Sequence, residues 1–534
     1  MSWHWFNWVV LAFYFLAMVG IGVYFSKKNS STEDYFTASG RIPSWVTACS
    51  IYATALSSIS FIAIPASVFK GGAIMGMAPL GIILMVIWAA IVFVPFFRSI
   101  NVTTAYEYLG KRFDNGFRWV GSLSFILFHL IRMAVVLYLP TLALKEALPG
   151  INPTLLLGAV SFLCVVYTSM GGIEAVVWSD AIQTIILLLG AFLIIVIGYN
   201  AAPDGLSMAF KTLTENGKTI PASAWKFSLT GTTFVGILFG GFFNAIYSYV
   251  GSQDIVQRYN TTKNDHEAKK SLYMNVPLLC ISVLIFSGMG TALYLFFKFK
   301  AVLPANIDGN AILPYFVINY IPVGFSGVIL AAIFAAAQST VSSSLNSLST
   351  CVTSDVVAPL RKNLTDKDKL NIAKAVSWGA GIISTILAIR FLQAGQGDMF
   401  LYFQAITGLL GGPIAGLFLV GIFSRRVDSR AAWVGFLISV LVAIYIGNPA
   451  GLVTKFVPGY TKPAVFELLI AFIIMASCVI PAWLASFVFG KAEDKKIAGL
   501  TYFTFRNKKA SKESKESKEK SSSIKADETS IKFS

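Results

Sequence analysis

Thirteen separate runs of about 20 apolar residues punctuate this chain, and each is long enough to span the hydrocarbon core of a bilayer as a helix. They centre near Phe15, Ile62, Ile87, Leu127, Leu163, Leu188, Phe242, Leu284, Ala332, Ile383, Leu410, Val440 and Ile474. Lipid offers no partner to a bare peptide group, so such runs fold as helices. With 56% hydrophobic and 13% charged residues, the chain needs a lipid solvent over most of its 534 residues. The expectation is an all-α membrane protein of about 13 transmembrane helices occupying residues 1–490. The first run has no signal-peptide cleavage site and reads as a retained span.

Charge placement orients the spans. The net charge of +16 is carried by short loops and by the tail from Lys491 onward. No basic stripe interleaves with aromatics on a soluble domain, which excludes nucleic acid as a partner. Loops after the odd-numbered runs are the richer in Lys and Arg; they hold Lys27, Lys28, Arg112, Arg258 and Lys362 among others. The positive-inside rule then puts the N-terminus outside and the C-terminus in the cytoplasm. Residues 491–534 form a basic tail containing SKESKESKEKSSS, a low-complexity stretch expected to be disordered. The five cysteines lie in apolar runs without C-x-x-C spacing and read as buried small hydrophobes. His4, His129 and His266 are too scattered for a metal centre.

Two runs are polar at their middles. The second reads ATALSSISFIAIPASVFKGG, with hydroxyls at its centre and a proline after them. The seventh reads GGFFNAIYSYVGSQDIVQR, with Asn244, Tyr247, Ser248 and Gly251 in mid-span. Gly and Pro also kink ordinary packed helices. Interruptions at corresponding places, however, open two groups of five spans here, with one span in front and two behind. That pairing is the pattern of a transporter's binding site.

Three further features carry candidate chemistry. In AAAQSTVSSSLNS, Ser339, Ser342 and Ser343 fall at i, i+3 and i+4 and share a helix face, with Thr340 about 100° round. Such a face either hydrogen-bonds neighbouring helices or, beside the small Ala336, supplies oxygens to Na⁺. Asp180 begins an otherwise apolar span, either as an early-turn helix charge or as a carboxylate balancing a second cation. Arg132, in FHLIRMAVVLYL, reads as the one Arg or Lys deep inside a span. Its guanidinium fork serves either a buried acid, with Asp180 the main candidate, or the carboxylate of an anionic substrate. His129, one turn earlier, reads as a core or hydrogen-bonding residue.

These stretches carry a resemblance. YTSMGGIEAVVWSD, SQDIVQRY, AAAQSTVSSSLNS and GGPIAGLFLVGIFSRR resemble the sodium:solute symporter family over almost the whole chain, the tail excepted. YATALSSISFIAIPA, FHLIRMA and the serine-rich helix look most like its bacterial sodium:sialic acid symporters. The resemblance implies a LeuT-like inverted repeat of five plus five helices, at about 43–200 and 230–424, in the bacterial plasma membrane. It implies a first sodium site from the carbonyls of Ala53, Leu56 and Ala336 with the hydroxyls of Ser339 and Thr340. A second sodium site would draw on Asp180, Ser339, Ser342 and Ser343. Sialic acid (N-acetylneuraminate) would be held by Ser57, Ser60 and Arg132, and imported by alternating access with one or two Na⁺. Two positions depart from that branch: Ala55 stands where it carries Thr, and Pro79 where Gln is expected.

Rival readings are a symporter for another sugar, a monocarboxylate or an amino acid, a channel, a membrane enzyme and a transporter-like sensor. A channel needs a continuous polar lining, and the polar residues here cluster. An enzyme needs a nucleophile–base pair or a metal motif, and neither is evident in the sequence.

Overall fold

A computed structural model describes residues 4–26, 36–100, 102–147, 150–226, 228, 230–305, 307, 309–361, 364–394, 398–457 and 459–507. Lys27, Lys28 and Lys362, used above to orient the chain, and the tail beyond 507 lie outside them. Every regular element among the described residues is helical. Among the described residues eleven helices are long and apolar enough to cross a membrane, and a bent pair, counted as one span, makes twelve. The remaining apolar run, the fifth in chain order and centred near Leu163, is a shorter helix.

In chain order these are α1 (Trp5–Phe25), α2 (Ser44–Ala55 and Ile59–Gly71, bent by 62°) and α3 (Ala73–Ile100). Then come α4 (Asn115–Ala143), the short α5 (Pro153–Val166) and α6 (Gly172–Tyr199), with the chain turned at Gly172 (φ 60) between the last two. The second half comprises α7 (Phe234–Gly251, continued as Gln253–Tyr259), α8 (Asp265–Phe299), α9 (Phe325–Leu360), α10 (Asp366–Gln393) and α11 (Met399–Phe423). The last two are α12 (Ser429–Gly447) and α13 (Glu467–Phe489).

The two polar-centred runs are both interrupted. α2 leaves helical geometry at Leu56 (φ −110, ψ 108) and resumes through a π-turn over Ile59–Ala63. α7 closes with a π-turn over Tyr247–Gly251 and breaks at Ser252 (φ −103, ψ 120). Extended residues here free peptide groups that lipid would leave bare, so both breaks have to lie inside the bundle. They do: Leu56 and Ser252 are buried. α9 runs past both and is buried along 94% of its apolar window. Outer helices keep large apolar chains such as Ile185, Leu284 and Leu441 exposed, as a lipid-facing surface requires.

Close approach of α3 and α7 depends on glycine. A Cβ on Gly81 would lie 2.4 Å from the Phe242 amide nitrogen and 2.6 Å from the Leu238 carbonyl oxygen. Small residues at such crossings let the two backbones meet.

Three sequence expectations need correcting. Arg258 is fully buried on the helix Gln253–Tyr259 and is not a surface loop cation, so Arg132 is not alone in the interior; Arg112, on the connection between α3 and α4, is buried as well. Cys280 is exposed and Cys49 half-buried, because an apolar run in a membrane has a lipid-facing side as well as a core. The start of the tail is packed: Tyr108 donates to the Leu500 carbonyl at 3.0 Å, and Phe505 meets Phe96 edge-on.

Gly81→Ala is expected to cost about 1–3 kcal/mol by overpacking the crossing. Gly158→Ala, with nothing within 4 Å of its Cβ position, is its control. Melting curves in detergent should fall for the first and hold or rise slightly for the second.

Candidate functional site

The site lies where the breaks of α2 and α7 meet α4, α6 and α9. Arg132 on α4 joins the two breaks. Its Nη2 donates to the Thr54 carbonyl at 2.5 Å, in the last turn of α2 before Leu56. Its Nη1 donates to Asp254 Oδ2 at 2.9 Å, two residues beyond the break of α7. Asp254 Oδ1 in turn accepts from Ser252 Oγ at 2.5 Å and the Ile255 amide at 3.0 Å. The carboxylate thus satisfies a free amide in the first turn of the helix that restarts after Ser252. His129 bridges Ser344 at 2.9 Å and Ser252 at 3.2 Å, a hydrogen-bonding role as read from the sequence.

A second ion pair lies beside the first. Arg258 Nη2 donates to Asp180 Oδ2 at 3.1 Å and to Ser343 Oγ at 2.6 Å. Its Nε donates to Ser50 Oγ at 2.7 Å, and that hydroxyl donates to Asp180 Oδ2 at 2.5 Å. Asp180 is therefore an interior residue of α6, and its partner is Arg258; the acid facing Arg132 is Asp254. Both acids and Arg258 are fully buried. Ionised groups in a bilayer are costly unless paired in this way.

Three of the five residues assigned to the first sodium site converge. Ser339 Oγ lies 3.1 Å from the Ala53 carbonyl and 3.2 Å from that of Ala336, so one hydroxyl and two carbonyls from α2 and α9 share a point. Leu56 is the extended residue of the break itself. Thr340 Oγ1 is buried without a hydrogen-bond partner among the described residues. An orphaned hydroxyl beside convergent neutral oxygens fits a hard monovalent cation.

The residues of the second site are only partly gathered. Asp180 and Ser343 share Arg258 Nη2, and Asp180 Oδ1 is buried without a hydrogen-bond partner among the described residues. Ser342 Oγ turns to the Ser339 carbonyl at 3.2 Å. No hydrogen bond joins Asp180 to Ser339 or Ser342 among the described residues.

A cavity of about 80 Å³ adjoins Arg132. Ser60 and Arg132 line it, as do Ala55 and Pro79, so both departures noted in the sequence face this space. Asn244, Ser248, Gln404 and Thr407 add polar groups from α7 and α11. Ser57 is not in the wall; its hydroxyl accepts from the Ile59 amide at 3.2 Å and stabilises the break. Thr54, Asp254 and Arg258 escaped the sequence reading. For the last two the signal was present, since Asp254 and Arg258 stand at i and i+4 in DIVQR and share a helix face.

The sodium:solute symporter family profile matches residues 35–439. The chain belongs to this family. It is 39% identical over 446 residues to the sodium/sialic acid symporter SiaT of Proteus mirabilis, covering 82% of this chain and 88% of that protein. A solved substrate-bound, outward-open Na⁺-coupled sialic acid symporter superposes with a TM-score of 0.83 at 37% identity, over 91% of this chain and 99% of that one. The nucleobase-cation symporter Mhp1, at 15% identity and a TM-score of 0.53 over 88% and 98% of the two chains, shares the fold alone. The fold is LeuT-like, and sodium is the coupling ion of the family.

Thr340→Val removes the orphaned hydroxyl and no hydrogen bond. Its melting temperature in potassium should match the parent, while the extra stability conferred by sodium should shrink. For a saturating ligand that extra stability is about 2.7 kcal/mol at 100 times Kd. Thermal shift in sodium against potassium reads both quantities.

Proposed function

We propose that this chain imports a sialic acid, N-acetylneuraminate being the first to test, with Na⁺ by alternating access. The observation that carries the substrate class is Arg132, whose planar fork reaches the wall of a cavity that also exposes hydroxyl and amide groups. A guanidinium held at a polar cavity suits a carboxylate on a hydroxylated ligand. Likeness to sodium/sialic acid symporters supports the choice among anions.

In this reading Arg132 binds the carboxylate and Ser60 the sugar, with Ser57 shaping the break beside them. Ala53, Leu56, Ala336, Ser339 and Thr340 hold one sodium ion. Asp180, Ser339, Ser342 and Ser343 hold a second. The transporter unit is residues 1–490, with repeats at about 43–200 and 230–424, and the N-terminus faces outward across the bacterial plasma membrane. Sodium orders the break of α2 against α9, which raises affinity for the substrate; by linkage, the substrate raises affinity for sodium. Ala55 and Pro79 remove hydrogen-bonding groups from the wall and shift selectivity among sialic acids toward bulkier or less polar variants. Transport, not catalysis, is the chemistry these groups serve.

Proteoliposomes should accumulate labelled N-acetylneuraminate under an inward sodium gradient, and not under an equal potassium gradient. Uptake indifferent to sodium contradicts the coupling. Uptake of another solute with sialic acid ignored contradicts the substrate alone. Asp180→Ala should lower the sodium Hill coefficient toward one; an unchanged coefficient argues against the second ion.

A further inference from the structure

We propose that Asp254 and Arg258 form a relay through which a cation at the second sodium site releases Arg132 to the substrate carboxylate. The proposal rests on the assignments above of Asp180 and Ser343 to the cation and of Arg132 to the carboxylate.

Arg258 Nη2 already takes two of the oxygens assigned to the second site, Asp180 Oδ2 and Ser343 Oγ. A cation drawing on those atoms meets a like charge at contact distance in a medium of low dielectric, where repulsion is strong. The guanidinium is fully buried, so its alternative partner has to be internal. Asp254 is that partner: it lies one turn earlier on the same helix, and Arg258 Nη1 already donates to its main-chain carbonyl. Asp254 Oδ2 is the atom that Arg132 Nη1 holds at 2.9 Å. As Arg258 turns toward Asp254, Arg132 loses its claim on that carboxylate.

Arg132 has capacity to receive an anion once that happens. Among the described residues its Nε is buried without a hydrogen-bond partner, and its Nη1 bonds to Asp254 alone. Thr54 adds a second link, because its hydroxyl lies 3.1 Å from Ser343 Oγ while its carbonyl accepts from Arg132 Nη2. The four groups Asp180, Arg258, Asp254 and Arg132 have balanced formal charges. A cation at one end therefore leaves an excess that an anion at the other end neutralises. Asp254 and Arg258 act as positioning residues: they touch neither sodium nor substrate, yet set the affinity of one according to the other.

The test uses the full-length protein in detergent and measures N-acetylneuraminate Kd by calorimetry in low and high sodium, with potassium making up the difference. The parent should bind more tightly in high sodium, by about 5–150-fold for an ordinary coupling. Asp254→Asn frees Arg132 permanently, so binding should tighten in low sodium and the ratio of the two Kd values should fall toward one. Arg258→Lys keeps the charge but loses the fork, and should retain only part of the ratio. A merely structural role would weaken binding at every sodium concentration and leave the ratio intact, and that result overturns the relay. If Asp254→Asn does not fold, Arg258→Lys decides alone, a parental ratio again overturning the relay. A parent without any sodium effect on Kd brings down coupled symport itself, a failure distinguishable from that of the relay.

Discussion

The ion pair between Arg132 and Asp254 joins two helices that have each stopped being helices in the middle of the membrane. Leu56 and Ser252 adopt extended geometry inside the bundle, and lipid could not satisfy the peptide groups they release. Arg132 answers for both at once, taking a carbonyl from the end of the first half of α2 and a carboxylate from the start of the second half of α7. Around that clamp the rest of the bundle is arranged to exclude lipid. α9 passes along the breaks almost wholly buried, and glycines such as Gly81 and Gly241 let α3 and α7 close on the cavity.

Buried ion pairs of this kind do little for net stability, since desolvation offsets most of the attraction. Removing one partner is another matter, because the survivor is left as an uncompensated charge, at about 3–5 kcal/mol. The arrangement therefore favours exchange of partners over loss of partners. Asp254 touches both arginines, through its carboxylate to Arg132 and its carbonyl to Arg258. A set of charges that can trade partners without being stripped suits a protein that must bind and release ions on both sides of a membrane. The hydroxyls and carbonyls of Ala53, Ala336, Ser339 and Thr340 complement it: in the proposed first site they would offer a sodium ion neutral oxygens.

Much of this was legible in the chain. Each of the thirteen apolar runs has a helix at its centre, and both polar-centred runs are broken, because hydropathy and local polarity are properties of contiguous residues. The serine spacing of α9 was equally local, and Ser339 does meet Ala53. What escaped was the pairing across the fold. Arg258 follows the polar centre of the seventh run and looks like a loop cation until the helix beyond Ser252 folds back into the core. With Arg258 counted as a surface charge, Asp180 was left as the apparent partner for Arg132, and Asp254 went unnoticed. Cys280 shows the same limit from the other side: an apolar run records the membrane and not which of its faces meets protein. The packed residues up to 507 escaped because a basic, low-complexity end masks the few aromatics, such as Phe505, that anchor its beginning.

The account turns on Arg132 exchanging Asp254 for a substrate carboxylate. A structure of the protein in sodium with N-acetylneuraminate bound tests this most directly. The account predicts the carboxylate on the Arg132 guanidinium at about 2.7–2.9 Å, with Asp254 withdrawn toward Arg258. A substrate carboxylate held elsewhere, with the Arg132–Asp254 pair intact, would contradict it.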